Sequence, residues 1–373
     1  MKFNSVLDNV KIYEAGKPIE LVVREYGVDS ADIIKLASNE NPYGTSPQVT
    51  KKIQELSENM FMYPDDSMYE LKESLASKYL VDSANVIVGA GSDQVIDFCV
   101  KAKCEEGSKM LMSKTTFAMY EIYGKQAGAV ILKTEDDEHN LDQFRAMYKE
   151  HGADIIFLCL PNNPLGECLD KEDVYAFLDE VDSETLVVVD GAYQEYASFK
   201  DKKKEIQPAD LISKYKNCIY LGTFSKAYAL GGMRTGYGVA QKEIIQSLLK
   251  LRPPFNITTL SLAASIEALK DEAFVTQCIA KNFEEMTRYE TYAKEKGFSY
   301  IESYTNFITL KFDNLFISAN VAQQLLERGI IVRDLTGYGV NAIRITIGST
   351  EQNTRVFKVL DEVLDKLSKT EVL

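Results

Sequence analysis

The chain has 373 residues, 45% hydrophobic and 26% charged, the balance of a globular protein long enough for two packed domains. Its 56 acidic against 42 basic residues leave a formal charge of −14, which opposes binding to nucleic-acid phosphates or anionic lipid surfaces. No apolar h-region follows Met1 and no run is long enough to cross a bilayer, so neither nucleic acid nor membrane is an expected partner and a cytoplasmic protein is expected.

In chain order, residues 1–35 show weak periodicity, and Gly16-Lys17-Pro18 breaks any helix there; they read as an N-terminal arm contributing to a small domain. Residues 36–255 form the large domain. Within it, short apolar runs at 85–89, 109–112, 129–132, 154–160, 185–190, 217–222 and 237–240 alternate with amphipathic stretches. That alternation predicts an α/β fold with a mostly parallel seven-stranded sheet. Pro253-Pro254 marks a boundary, after which 256–373 forms a smaller α+β domain. Its expected helices are 260–270, 272–296, 319–328 and 352–367, and its expected strands are 307–312, 330–333 and 342–347. The six cysteines make no C-x-x-C pair, and His139 and His151 lack ligand spacing, so reduced core cysteines and no metal site are expected.

Three successive expected strands end in polar groups: Pro161-Asn162-Asn163-Pro164, Asp190-Gly191-Ala192-Tyr193 and Thr223-Phe224-Ser225-Lys226. Parallel sheets receive ligands at the carboxyl ends of their strands, so these three sites are expected to converge. Taken singly, an Asn-Pro is a turn and a strand-terminal Asp is a helix cap; their joint order carries the inference. Lys226 precedes a glycine-rich turn and Arg234, whose charge lowers a nearby lysine's pKa and frees the neutral amine that attacks an aldehyde. Gly89-Ala90-Gly91-Ser92 follows a strand and opens a helix, an anion site made of free N–H groups and the helix dipole. Val95 stands where a dinucleotide fingerprint needs its third glycine, so a smaller phosphate is the better fit.

These blocks, with Leu36-Ala37-Ser38-Asn39-Glu40-Asn41-Pro42-Tyr43-Gly44, Met62-Tyr63-Pro64-Asp65 and Arg234-Thr235-Gly236-Tyr237, resemble the fold-type-I pyridoxal-phosphate aminotransferases over essentially the whole chain. Within that group the histidinol-phosphate aminotransferases are the most similar. The resemblance implies pyridoxal 5'-phosphate as cofactor, held by Lys226 as a Schiff base. Asp190 would face the pyridine nitrogen, and Asn163 and Tyr193 would donate to the phenolic oxygen. Gly91, Ser92, Ser225 and Arg234 would hold the phosphate, joined by Tyr63 from a second subunit, so a homodimer with a shared active site is implied. Phe117 stands where the family often has a tyrosine stacked on the cofactor ring, so an aromatic face remains to stack and no hydroxyl accompanies it. Arg333 and Arg344 would bind the substrate's anionic group, with Asn41 and Tyr13 contributing. The implied reaction is amino transfer from L-histidinol phosphate to 2-oxoglutarate, small anionic substrates both. An aromatic amino-acid aminotransferase, a phosphothreonine decarboxylase and a noncatalytic sensor of the same fold are the alternatives.

Overall fold

Runs such as Ile155-Ile156-Phe157-Leu158-Cys159 and Leu186-Val187-Val188-Val189 have no polar face to turn to water, and the computed structural model buries both as neighbouring parallel strands. The structure describes the chain except for residues 2, 11, 13–18, 314 and 371–373. It divides into two units, the first made of Met1–Tyr13, Gly44–Asn163 and Cys168–Thr276, the second of Glu14–Tyr43, Pro164–Glu167 and Gln277–Leu373.

The short β1 (Ile34–Lys35) belongs to the second unit. The sheet of the first unit is built from β2 (Val86–Gly89), β3 (Lys109–Met112), β4 (Val130–Lys133), β5 (Ile155–Cys159), β6 (Leu186–Asp190), β7 (Cys218–Thr223) and β8 (Gly236–Ala240). Its order is β2-β8-β7-β6-β5-β3-β4, and only β8 runs against its neighbours, so the mostly parallel seven-stranded sheet is present as expected. Val95, Ile96 and Cys99 of the helix Ser92–Lys103 pack with Ile87, Met110, Ile155 and Ile219 in one buried cluster, which fixes where that helix begins relative to the strand ends.

A charged clamp ties two loops of the same unit. Both terminal nitrogens of Arg252 donate to the Asp66 carboxylate, Nη1 to Oδ1 and Nη2 to Oδ2, each at 2.8 Å, and the Phe255 N–H donates to Asp66 Oδ1 at 2.6 Å. Tyr63 and Phe255, carried by these loops, stack with ring centroids 4.6 Å apart.

In the second unit β1 pairs in parallel with β11 (Ile330–Ile331). A four-stranded antiparallel sheet of order β12-β13-β10-β9 contains β9 (Ser299–Ile301), β10 (Phe307–Lys311), β12 (Arg333–Asp334) and β13 (Ala342–Thr346). Ile308, Leu310, Ile343 and Ile345 of this sheet are buried with Val321 and Leu325 of the helix Ser318–Leu326 and Val356 and Leu360 of the helix Thr350–Thr370. The single strand expected at 330–333 is two strands in two sheets. Ile330–Ile331 follows β1, whereas Arg333–Asp334 follows β13, and Val332 is the residue at which the backbone changes partner.

Arg252 holds the Asp66 carboxyl down from its ordinary 3.8 to about 2. A depressed carboxyl pKa stabilises the fold above the ordinary value and loses that effect as the pH falls through the folded value. Asp66→Asn should therefore melt earlier than wild type near neutrality, and the two melting curves should converge as the pH approaches about 2. A gap that stayed constant over this range would show that the clamp does not act through the charge.

Candidate active site

β5, β6 and β7 are parallel neighbours, with Cys159 in register with Asp190 and Asp190 with Leu221. Their carboxyl ends therefore emerge side by side, with strands about 4.8 Å apart. Asn162 and Asn163 follow the first end, Asp190 closes the second with Tyr193 just beyond it, and Ser225 and Lys226 follow the third. The amine of Lys226 lies 5.7 Å from the centroid of the Tyr193 ring, and that ring is buried.

The residues expected to form an anion cradle meet where β8 lies against the turn after β2. Gly91 has φ +81°, a conformation L side chains rarely adopt, and a Cβ there would stand 2.7 Å from Arg234 Nη2. Arg234 Nη1 donates to Ser225 Oγ at 3.3 Å and to the Gly231 carbonyl at 3.2 Å. Gly91, Ser92, Ser225 and Arg234 are thus brought together, with the first N–H groups of the helix Ser92–Lys103 on the same turn. Arg234 itself sits at φ +53°, a strained backbone for a long side chain, of the kind that persists where surrounding structure holds it. Beside the cradle, Asp93 accepts the Tyr123 hydroxyl at 2.8 Å, and burial pushes its carboxyl pKa up against the opposing effects of that hydroxyl and of Arg234.

Asp190 is buried, and both of its contacts are with donors: the Tyr120 hydroxyl donates to Oδ2 at 2.6 Å and the Ala192 N–H to Oδ1 at 3.1 Å. Burial raises its pKa, and the two hydrogen bonds work the other way. Among the described residues no lysine or arginine forms an ion pair with it. A carboxylate served only by neutral donors in a dry place is suited to a cation that arrives with a ligand.

Two neighbours of these groups have roles that the sequence does not signal. Tyr120, third in the helix Ala118–Gln126, carries no local mark, because its partner lies 70 residues away at the end of β6. Asn162 lies inside the Pro161-Asn162-Asn163-Pro164 block, where the family resemblance points to Asn163. Its Oδ1 accepts from Thr116 Oγ1 at 2.9 Å and its Nδ2 donates to the Thr115 carbonyl at 3.0 Å, which fixes the segment leading into Phe117. Phe117 meets the Tyr120 ring edge-on, with centroids 5.5 Å apart.

The second unit holds Arg333, Arg344 and Asn41. Arg333 and Arg344 are register partners on β12 and β13, so their side chains leave the same face of the sheet. Arg344 is buried, lies 5.0 Å from the Phe307 ring centroid, and donates from Nη2 to the Ala37 carbonyl at 2.6 Å. Like charges directly opposite one another destabilise a sheet, and an anion between them reverses the sign. The Asn41 side chain accepts the Tyr43 N–H at 3.0 Å. Tyr63, 81% exposed, belongs to the first unit and makes its ring contact with Phe255. Tyr13 lies outside the described residues.

The sequence pattern described as aminotransferase class I and II matches residues 31–360. The chain belongs to this aminotransferase family. A histidinol-phosphate aminotransferase of Aliarcobacter butzleri is 70% identical over 367 residues, covering 98% of this aminotransferase and 100% of that protein. One from Wolinella succinogenes is 59% identical, covering 98% and 99% of the two chains. Among solved structures, a histidinol-phosphate aminotransferase from Sinorhizobium meliloti in complex with pyridoxal-5'-phosphate superposes with a TM-score of 0.89 at 25% identity, covering 98% of each chain.

The cradle of this aminotransferase depends on β8 lying directly against the glycine turn. A Cβ at Gly236 would stand 2.0 Å from the Ser92 nitrogen and 2.4 Å from the Gly91 carbonyl carbon, both of them backbone atoms that cannot swing aside. Gly236→Ala should displace the turn and weaken pyridoxal phosphate binding by roughly tenfold to a hundredfold, the scale of a lost hydrogen bond to a charged group. Titration of the apoprotein would measure this; unchanged affinity would show that the turn plays no part in holding the anion.

Proposed function

We propose that this aminotransferase moves the amino group of L-histidinol phosphate to 2-oxoglutarate, yielding imidazole acetol phosphate and L-glutamate, with pyridoxal 5'-phosphate as cofactor. The observation that carries the reading is the presence in one unit of both a glycine-and-guanidinium anion cradle and a buried carboxylate with only neutral donors. Those are the demands of a phosphate and of a protonated pyridine nitrogen on one small molecule. The substrate follows from the names carried by relatives at 70% and 59% identity over nearly the full chain.

When bound, the cofactor supplies an electron sink for the bond broken at the substrate's Cα. The protein's share is holding and proton transfer. Lys226 would anchor the cofactor covalently through Nζ, and the same amine, once released, would carry a proton between the substrate's Cα and the cofactor's C4′ carbon, the shift that amino transfer requires. Asp190 keeps the pyridine nitrogen protonated by placing an ionised carboxylate against it. Asn163 and Tyr193 donate to the phenolic oxygen, and Phe117 covers the ring. Gly91, Ser92, Ser225 and Arg234 hold the phosphate through backbone N–H groups, a hydroxyl and a guanidinium.

Arg333 and Arg344 receive the substrate's anionic group, and their forked donors suit a carboxylate in one half-reaction and a phosphate in the other. Asn41 and Tyr13 complete that end. The reading makes the enzyme a cytoplasmic homodimer with a shared active site. Its support for the pairing is a run of exposed apolar side chains, Phe61 at 83% and Met62 at 54%, continuing into Tyr63. In the dimer Tyr63 reaches the phosphate held by the partner subunit. Among the described residues no helix is long and apolar enough to cross a membrane.

The deciding experiment is a half-reaction: L-histidinol phosphate is added to the yellow holoenzyme without a keto acid, and the visible absorption of the cofactor should bleach. Faster bleaching with phenylalanine, or carbon dioxide release from phosphothreonine, would overturn the substrate assignment. Lys226→Ala should lose both turnover and the borohydride-reducible adduct; full activity in this variant would end the reading. Arg344→Ala should raise KM for both anionic substrates by roughly tenfold to a hundredfold, the scale of a hydrogen bond to a charged group. Unchanged KM values would remove Arg344 from substrate binding.

A further inference from the structure

We infer that Tyr120 is a positioning residue of the active site, whose hydroxyl holds and aims the Asp190 carboxylate toward the cofactor. The inference rests on the reading that Asp190 faces a ligand cation.

Among the described residues Asp190 has two hydrogen-bond partners, and they differ in kind. The Ala192 N–H belongs to the same turn, two residues on, and moves with Asp190. The Tyr120 hydroxyl comes from a different element, the helix Ala118–Gln126, and reaches Oδ2 at 2.6 Å, the length of a charge-assisted O–H···O⁻ contact. Of the two, only Tyr120 fixes the carboxylate against the rest of the unit.

The direction of that hydroxyl is set by its ring. Tyr120 is wholly buried and stacks on Phe157 with centroids 4.4 Å apart and planes 15° apart. Phe157 lies on β5 in register with Val188 of β6, the strand that ends in Asp190. Phe117 closes the other approach, edge-on at 82°. Packing alone would be met by a phenylalanine here, and a hydroxyl in such surroundings costs free energy unless it has a partner. Its partner is the carboxylate. Burial, followed by the negative charge of Asp190, drives the phenol pKa well above its ordinary value, so the hydroxyl keeps its proton and acts as donor.

A cycle of four apoproteins tests this: wild type, Tyr120→Phe, Asp190→Asn and the double variant, each titrated with pyridoxal phosphate. Tyr120→Phe should weaken binding by about tenfold in the wild-type background and by less than about twofold beside Asp190→Asn, because a residue acting through Asp190 has nothing left to act on. The melting temperatures of the apoproteins report any general loss of structure separately. Equal losses in both backgrounds, or no loss in the first, would overturn the inference. If Tyr120→Phe does not fold, 3,5-difluorotyrosine placed at position 120 repeats the cycle with a more acidic phenol of nearly the same shape. Affinity must then change in the wild-type background and stay fixed beside Asp190→Asn, and any other pattern overturns the inference. Wild-type apoprotein that takes up no pyridoxal phosphate would be a different result, removing the cofactor reading and this inference with it.

Discussion

The structure depends on one pairing constraint, the parallel hydrogen bonding of β5, β6 and β7. Parallel neighbours cannot be joined by tight turns, so each strand must end at the same edge as the last and return by a crossover. That rule brings Asn163, Asp190 and Lys226 to one edge although 63 residues separate the first from the third. Burial on both faces then makes the edge the place where polar side chains can gather at low cost, because the strands themselves carry apolar residues almost throughout.

Onto this edge the antiparallel β8 adds what parallel strands do not supply. It returns beside β7 and also pairs with β2, so the turn Gly91-Ser92 and the loop that carries Arg234 are drawn together. The approach is close enough that side chains are excluded at Gly91 and Gly236. Backbone strain collects at the same places. Ala229 and Arg234 both have positive φ, and the Ala229 carbonyl accepts the Thr45 hydroxyl at 3.1 Å while Leu230 N–H returns to the Phe224 carbonyl at 3.0 Å. A left-handed non-glycine residue costs about 1 kcal/mol or more, which such flanking contacts offset.

The second unit shows the same economy around Asn39, buried with φ +58°. Thr346 Oγ1 accepts the Asn39 N–H and donates to its Oδ1, each at 3.0 Å, and Asn306 donates to its carbonyl at 2.9 Å. With Arg344 held on the Ala37 carbonyl, the segment before Asn41 is pinned to the sheet that carries the paired arginines. Asn39, left-handed like Ala229 and Arg234, stands two residues before Asn41.

Much of this was legible in the sequence, because the governing signals are local. Continuous apolar runs mark strands buried on both faces, and 109–112 and the helix at 272–296 have the bounds expected of them. The polar strand ends, the glycine turn and the arginine after Lys226 are likewise contiguous patterns. Two-residue β1 and three-residue β9 are too short to show a period, and 330–333 looks like one strand because periodicity does not record which neighbour a residue pairs with. The sequence by itself determined the kinds of element, the family and the motifs on offer. Only the tertiary structure decided that Tyr120 meets Asp190, that Gly236 lies on Ser92 and that Arg333 stands opposite Arg344. Each of those contacts is a product of strand order and register, which hydrogen bonding between distant segments selects and no local pattern encodes.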